Sequence, residues 1–279
     1  PWANPETPRD DRCETILASS RTDAYLESAR NEAERAAKYR GKAWAALWVD
    51  GDWRQADGAV FENWSNNNVV QIEALPRWHI RFSEKDQWTI IPKPTTVEIY
   101  VDWSQGRAPG AAVCIGVWRQ HPLSRSDPRP FMAVLAELQD DDERWPYTQT
   151  GWWGALKKMR DSWGARVMYG DPSSPNLISS AKRARLYIQP ADNRDKSGRL
   201  VLIDSQLHQP EGYAQYPGLV VSEECMKTIF AMQNLEYKRT RAGELTDEPK
   251  SYNDHLPDCI AYSMGRWCRG VSTTTRIAL

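Results

Sequence analysis

The sequence predicts an α/β protein: a mixed β-sheet, three antiparallel strands followed by parallel ones, flanked by helices. Two observations lead there. Between residues 96 and 139 three apolar, β-branched runs follow one another across short loops of Gly, Pro and Ser: TVEIYVDW, GAAVCIGVWR and PFMAVLAELQ. Short links join antiparallel neighbours, because a parallel crossover takes a dozen residues or more. From residue 150 onward strands alternate with amphipathic helices, the pattern of parallel pairing.

The elements follow in order. Residues 1–20 are polar and turn-rich. RTDAYLESARNEAERAAKYRG reads as a helix, rich in Ala, Glu and Arg, with Gly41 as its C-cap. KAWAALWVDGDW is apolar and closes on a turn at Asp50-Gly51. DGAVFENW reads as a short strand and Asn66–Asn68 as a loop. IIPKPTT, at 90–96, sets two prolines around a lysine and marks a boundary. The expected domains are a front segment, 1–92, and a main domain, 93–279.

In the main domain the three strands come first. TGWWGALKKMRDSWG is then an amphipathic helix, capped by Thr150 and ended by Gly164. ARVMYGDP is a buried strand ending at Asp171, SSPNLISSAKRAR a helix and LYIQPA another strand. GRLVLIDSQLH fits both periods: Leu200, Ile203 and Leu207 share a helical face, while its apolar run suits a strand. VSEECMKTIFAMQNL is a helix with Ser222 as cap, LEYKRT an edge strand, and YNDHLPDCIAYSMGRWCRG the closing helix.

Bulk properties narrow the class. Of 279 residues, 41% are hydrophobic and 26% charged, ordinary for a globular chain. The 14 Trp are expected mostly in the core. The formal net charge of −1 means any basic surface must be local. Cys13, Cys114, Cys225, Cys259 and Cys268 form no CxxC pair, which leaves a structural zinc site without support and suits a reducing compartment. No apolar run reaches membrane-spanning length. The chain begins with Pro1, which reads as part of a longer polypeptide.

Three carboxylates stand at element ends. Asp102 ends the first main strand, Asp171 the fourth, and Asp258 lies in the first turn of the last helix, with His255 and Asp254 just before it. If the first and fourth strands are neighbours, Asp102 and Asp171 emerge together, and a helix start packed over them brings in Asp258. His255, three residues earlier, shares that face. Like charges so gathered repel unless a cation neutralises them or one takes a proton. Carboxylate oxygens suit Mg²⁺ or Mn²⁺, and two such ions roughly 3.5–4 Å apart promote phosphodiester hydrolysis. Each residue also has a plain structural reading: Asp102 and Asp171 as turn residues, Asp258 as a partner of the helix dipole, Asp254 as an N-cap, His255 as a hydrogen-bonded structural histidine.

EIYVDWSQGRAPGAAVCIGVW, VMYGDPSSPNLI and YNDHLPDCIAYSMGRW, in this order, resemble the nuclease domain of the large terminase subunit of tailed double-stranded DNA bacteriophages. Asn4-Pro5 and WVDGDWRQADGAVFENW, at 48–64, resemble the stretch that follows the motor ATPase in that family. The resemblance implies an RNase H-like fold and a metal-dependent endonuclease that cuts concatemeric phage DNA during packaging. Asp102, Asp171 and Asp258 match the metal carboxylates, with His255 as an accessory and Asp254 as a further candidate ligand. It implies Mg²⁺ or Mn²⁺, two ions with DNA bound. The implied partners are double-stranded DNA, the portal protein, the small terminase subunit and the ATPase motor domain of the same polypeptide. No membrane is implied, the fragment alone is expected to be monomeric, and the setting is the infected host cytoplasm, docked on the procapsid. Two departures stand out. No GxxxxGK[ST] phosphate loop exists, Gly41-Lys42 being nearest, so this chain is not expected to hydrolyse ATP. The family's Ala-Leu-Arg after the last Asp is Cys259-Ile260-Ala261 here.

A packaging cut needs phosphate contacts above all. Residues 179–199 hold Lys182, Arg183, Arg185, Arg194, Lys196 and Arg199 against two acids, a local excess of four positive charges. The loop RQHPLSRSDPRP adds Arg125 and Arg129. The expected DNA contacts are Lys182, Arg183, Arg185, Arg194, Lys196, Arg125 and Arg129; each alone also reads as a solvated surface charge. Trp103 either stacks on a nucleotide or, by strand alternation, points into the core. Three function classes remain: the terminase nuclease, another RNase H-like enzyme such as a junction resolvase or transposase, and a non-catalytic docking module. A docking module has no reason to keep three repelling carboxylates.

Overall fold

The computed structural model describes residues 58–74, 77–82, 87–103, 110–124, 126–140, 145–209, 216–240, 243–251 and 254–268. The polar start, the helix expected over 21–41, the apolar stretch at 42–53 and Arg125 lie outside the described residues. The chain divides into two compact units, Pro1–Ala59 and Val60–Leu279, and every element below belongs to the second.

Eleven strands and five α-helices are described: β1 Val69–Glu73, β2 His79–Phe82, β3 Thr89–Ile90, β4 Thr96–Asp102, β5 Ala111–Trp118, β6 Phe131–Gln139, α1 Trp152–Trp163, β7 Val167–Gly170, α2 Pro175–Arg183, β8 Ile188–Pro190, α3 Lys196–Leu207, β9 Leu219–Ser222, α4 Met226–Asn234, β10 Tyr237–Arg239, β11 Leu245–Pro249 and α5 His255–Trp267. Nine strands form one sheet in the order β3-β2-β1-β9-β6-β5-β4-β7-β8, while β10 and β11 pair separately. The middle of the sheet, β6-β5-β4-β7-β8, is the RNase H-like arrangement: β4, β5 and β6 run antiparallel, then β7 and β8 add in parallel. Among the described residues no helix is long and apolar enough to cross a membrane.

Both faces of the sheet are covered, which is why its strands read as continuous apolar runs rather than alternating ones. All eight residues of β5 are buried. On one face α3, α4 and α5 bring Leu200, Ile203, Met232, Leu256 and Ile260 against Val113, Ile115 and Val134. On the other, α1 and α2 bring Trp152, Leu156 and Ala181 against Ile99, Val101 and Leu135. Of the ten described Trp, Trp103, Trp118, Trp152 and Trp153 are buried, Trp64, Trp78, Trp145, Trp163 and Trp267 pack partly buried against the core, and Trp88 is exposed.

Several local expectations change. Residues 198–207 are helical, because Leu200, Ile203 and Leu207 all reach the core on one face. Thr150 does not cap α1; Gly151 holds the N-cap position, and Trp153 N–H donates to Thr148 O at 3.1 Å. Gly164 does end α1, at φ 64°. Ser222 ends β9, and α4 starts only after Cys225. That strand, four buried residues long, is too short to show a period. Among the described residues 58–64 no strand forms: only Ala59 makes a bridge, and Phe61 is a core residue just before a turn. Asn66–Asn68 is a turn of 3-10 helix. The sequence boundary fell after residue 92, yet β1–β3, at 69–90, are hydrogen-bonded into the main sheet, β1 lying parallel to β9.

Candidate metal centre

The site lies where β4 and β7 end together. The two strands run parallel with Val101 opposite Gly170, and Asp171 N–H donates to Val101 O at 3.0 Å. Asp102 and Asp171 are therefore the next residues of adjacent parallel strands. Trp103 turns inward, 3% exposed, and its Nε1–H donates to Asp171 O at 2.9 Å, so it is a core brace rather than a stacking surface. Asp171 bends back on its own turn: its carboxylate accepts from Ser173 N–H at 3.1 Å and from the Ser173 hydroxyl.

The first turn of α5 covers this end. His255 Nδ1 and Asp102 Oδ2 are 2.7 Å apart. Burial opposes charge on the ring, but the hydrogen bond and the field of Asp102 win and raise the His255 pKa. With the carboxylate ionised, Nδ1–H is the donor. Asp102 itself is pushed up, first by burial and then by Asp171 and Asp254, against the pull of His255. Asp258 is pushed up to about 6, chiefly by burial, although Lys196 pulls the other way. Asp254 and Asp102 add to the rise at Asp258.

Asp254 occupies the N-cap of α5, yet its side chain makes no cap hydrogen bond. Its Oδ2 accepts from Lys196 Nζ at 3.2 Å, and the same ammonium donates to Asp258 Oδ2 at 2.7 Å. Among the described residues Asp254 Oδ1 is buried without a hydrogen-bond partner; His255 Nε2 is 4.0 Å away. Four converging carboxylates, one with an unmatched buried oxygen, are a donor set suited to a hard divalent cation. Among the described residues no group of three His, Cys, Asp or Glu side chains is placed so that it could hold a metal ion. In this arrangement Lys196 and His255 engage the oxygens of Asp258, Asp254 and Asp102.

The expected DNA contacts separate. Lys182, Arg183 and Arg185 are exposed at the end of α2 and just beyond it. Arg194 is also exposed but is paired with Asp192 at 2.9 Å. Lys196 points into the carboxylates rather than out to a duplex. Arg129 turns inward: it forks onto buried Asp127 at 2.8 Å and donates to Ser205 O and His208 O at the end of α3. It closes a helix terminus, where C=O groups lack partners, so its guanidinium, expected on DNA, is engaged within the fold. Asn193 escaped the linear reading, and Lys196 and Arg199 entered it only as surface cations. Asn193 donates to Asp171 Oδ1 at 3.3 Å, Lys196 grips Asp254 and Asp258, and Arg199, 4% exposed, braces the loop between them. The available signal was their position in the loop after β8, the strand beside the one that ends at Asp171.

Compared with known proteins, no family model matches the chain and no curated protein sequence matches it. Solved structures do. The large terminase of the thermophilic bacteriophage D6E with ADP bound superposes at a TM-score of 0.56 and 14% identity, over 86% of this chain and 52% of that one. The same protein with ATP-γ-S gives 0.54 and 15%, over 85% and 52%. The nuclease domain of the phage G20c large terminase gives 0.47 and 10%, over 76% and 100%. The chain thus spans about half the length of the D6E large terminase, and over that half it shares its fold.

Proposed function

We propose that this chain carries the nuclease of a phage large terminase: a divalent-metal-dependent endonuclease that cuts double-stranded DNA during genome packaging. The observation that carries the reading is the convergence of Asp102, Asp171, Asp254 and Asp258 at one sheet end. Gathering four carboxylates, Asp102 and Asp254 buried and Asp171 and Asp258 half-buried, is costly, and a structural role would not require it. The shared fold with D6E large terminase supports the same reading.

Asp102, Asp171 and Asp258 would hold one or two Mg²⁺ or Mn²⁺ ions, with Asp254 as an additional ligand. Bound there, the ions would supply Lewis-acid activation for phosphodiester hydrolysis. The chain's own residues prepare that position. His255 fixes the Asp102 carboxylate through the 2.7 Å hydrogen bond. Asn193 and Ser173 orient Asp171. Trp103 locks the backbone of Asp171 to β4. The exposed cations Lys182, Arg183 and Arg185 would meet DNA phosphates. In the packaging machine, the ATPase motor, the portal protein and the small subunit would be its partners.

The test is plasmid nicking in Mn²⁺ or Mg²⁺ by the wild type, Asp102→Ala and Asp258→Asn. Wild type converts supercoiled plasmid to nicked and linear forms, and both variants and EDTA-treated enzyme do not. Equal cleavage by all three proteins, or cleavage insensitive to EDTA, overturns the proposal.

A further inference from the structure

The loop between β8 and α3 is unusually well tied down. Arg199 donates from Nη1 to Asp192 O at 2.7 Å, from Nη2 to Asn193 O at 3.0 Å and from Nε to Asp195 O at 3.3 Å. Its guanidinium lies 5.1 Å over the ring of Tyr262, one turn beyond Asp258 on α5. Asp195 sits at φ 55°, uncommon for any residue with a Cβ. Its side chain accepts from Gly198 N–H at 2.9 Å, and a Cβ at Gly198 would run into that carboxylate. So fixed, the loop reaches both halves of the acidic site: Asn193 to Asp171, Lys196 to Asp254 and Asp258.

We infer that Lys196 is a resident counter-cation, a positioning residue that holds Asp254 and Asp258 together when no divalent ion is bound and that sets how tightly an ion binds. Three observations support this. The ammonium touches both carboxylates at once, at 3.2 and 2.7 Å. Asp254 gives up the capping bond of α5 to face Lys196. Among the described residues its second oxygen has no hydrogen-bond partner, so one lysine leaves the site short of positive charge. A divalent ion taking up Asp258 must compete with an ammonium already on that carboxylate, and the long lysine stem, with its side chain 38% exposed, has room to swing away. The inference rests on the divalent-ion reading of the site.

The experiment uses the 279-residue chain and Mn²⁺ alone, with no DNA and no activity readout. Thermal melting in EDTA and Mn²⁺ titration by calorimetry are run on wild type, Lys196→Gln, Lys196→Arg and Asp258→Asn. Lys196→Gln melts lower than wild type in EDTA, regains the difference in Mn²⁺, and binds Mn²⁺ about tenfold tighter. Lys196→Arg, which keeps the charge, stays near wild type. Unchanged or weaker Mn²⁺ binding by Lys196→Gln, with binding lost in Asp258→Asn, overturns the role of Lys196 while leaving the metal site standing. Mn²⁺ that binds wild type and Asp258→Asn alike, or neither, removes the ion reading and this inference with it.

Discussion

Gly170→Ala is a one-methyl change whose consequence follows from distances alone. Gly170 ends β7, directly before Asp171. A Cβ there would stand 2.5 Å from Trp103 Cζ2, 3.0 Å from Cε2 and 3.1 Å from Ile188 Cγ2. The indole has little freedom to retreat. It is 3% exposed and packed edge-on between Trp153 and Tyr147, at 6.1 and 6.3 Å between ring centres. Forcing a methyl into so tight a place costs about 1–3 kcal/mol. If the ring shifts, its hydrogen bond to Asp171 O is lost as well, at about 1 kcal/mol. The expected destabilisation is about 2–4 kcal/mol by urea denaturation. Mn²⁺ affinity falls with it, since Asp102 and Asp171 flank the strained pair. Trp103→Leu removes both clashing atoms, so the double variant is less destabilised than the sum of the singles. A loss under about 0.5 kcal/mol for Gly170→Ala, or strict additivity in the double variant, refutes the reasoning.

Two further outcomes test other parts of the fold. Arg129→Ala takes the guanidinium from the carboxylate of Asp127, 2% exposed, leaving it only the backbone N–H of residue 129, and costs about 3–5 kcal/mol in chemical denaturation; plasmid nicking per folded molecule stays unchanged, because the guanidinium is engaged by Asp127 and the end of α3. His121 gives a pH dependence. It is buried, lies 3.2 Å from Pro217 O through Nε2 and accepts from Leu123 N–H at Nδ1, a pattern that needs the neutral ring. Burial lowers its pKa below the ordinary 6.5, against the hydrogen bond to Pro217 O and the field of Asp127. The folded state therefore binds fewer protons, and its contribution is intact above 6.5 and is lost as pH falls from there through the lowered value, by at most about 1.4 kcal/mol per pH unit. Melting curves between pH 7.5 and 5 fall less steeply for His121→Gln than for wild type; equal slopes contradict the assignment.

Local chemistry in the chain was enough for the frame. Apolar runs at 96–139 specify β4–β6 because both faces of the sheet are buried, and burial on both faces leaves a signal that needs no partner to be seen. Asp102 and Asp171 stood out as charges at the ends of apolar runs, and His255 and Asp258 by a spacing that puts them on one helical face, each with a plain structural reading beside it. The weak elements were not legible in the same way. β9 is four residues and β3 two, and their strand state is decided by the neighbours they pair with. Long flexible cations are a similar case. In the sequence Arg129, Lys196 and Arg199 are equivalent positive charges. Only the tertiary structure separates them: Arg129 onto the carbonyls that end α3, Arg199 onto those of the loop before it, Lys196 onto two aspartates more than fifty residues away. A side chain with four or five rotatable bonds carries no local preference for its partner, so its role is settled by which buried acceptors the fold brings within reach.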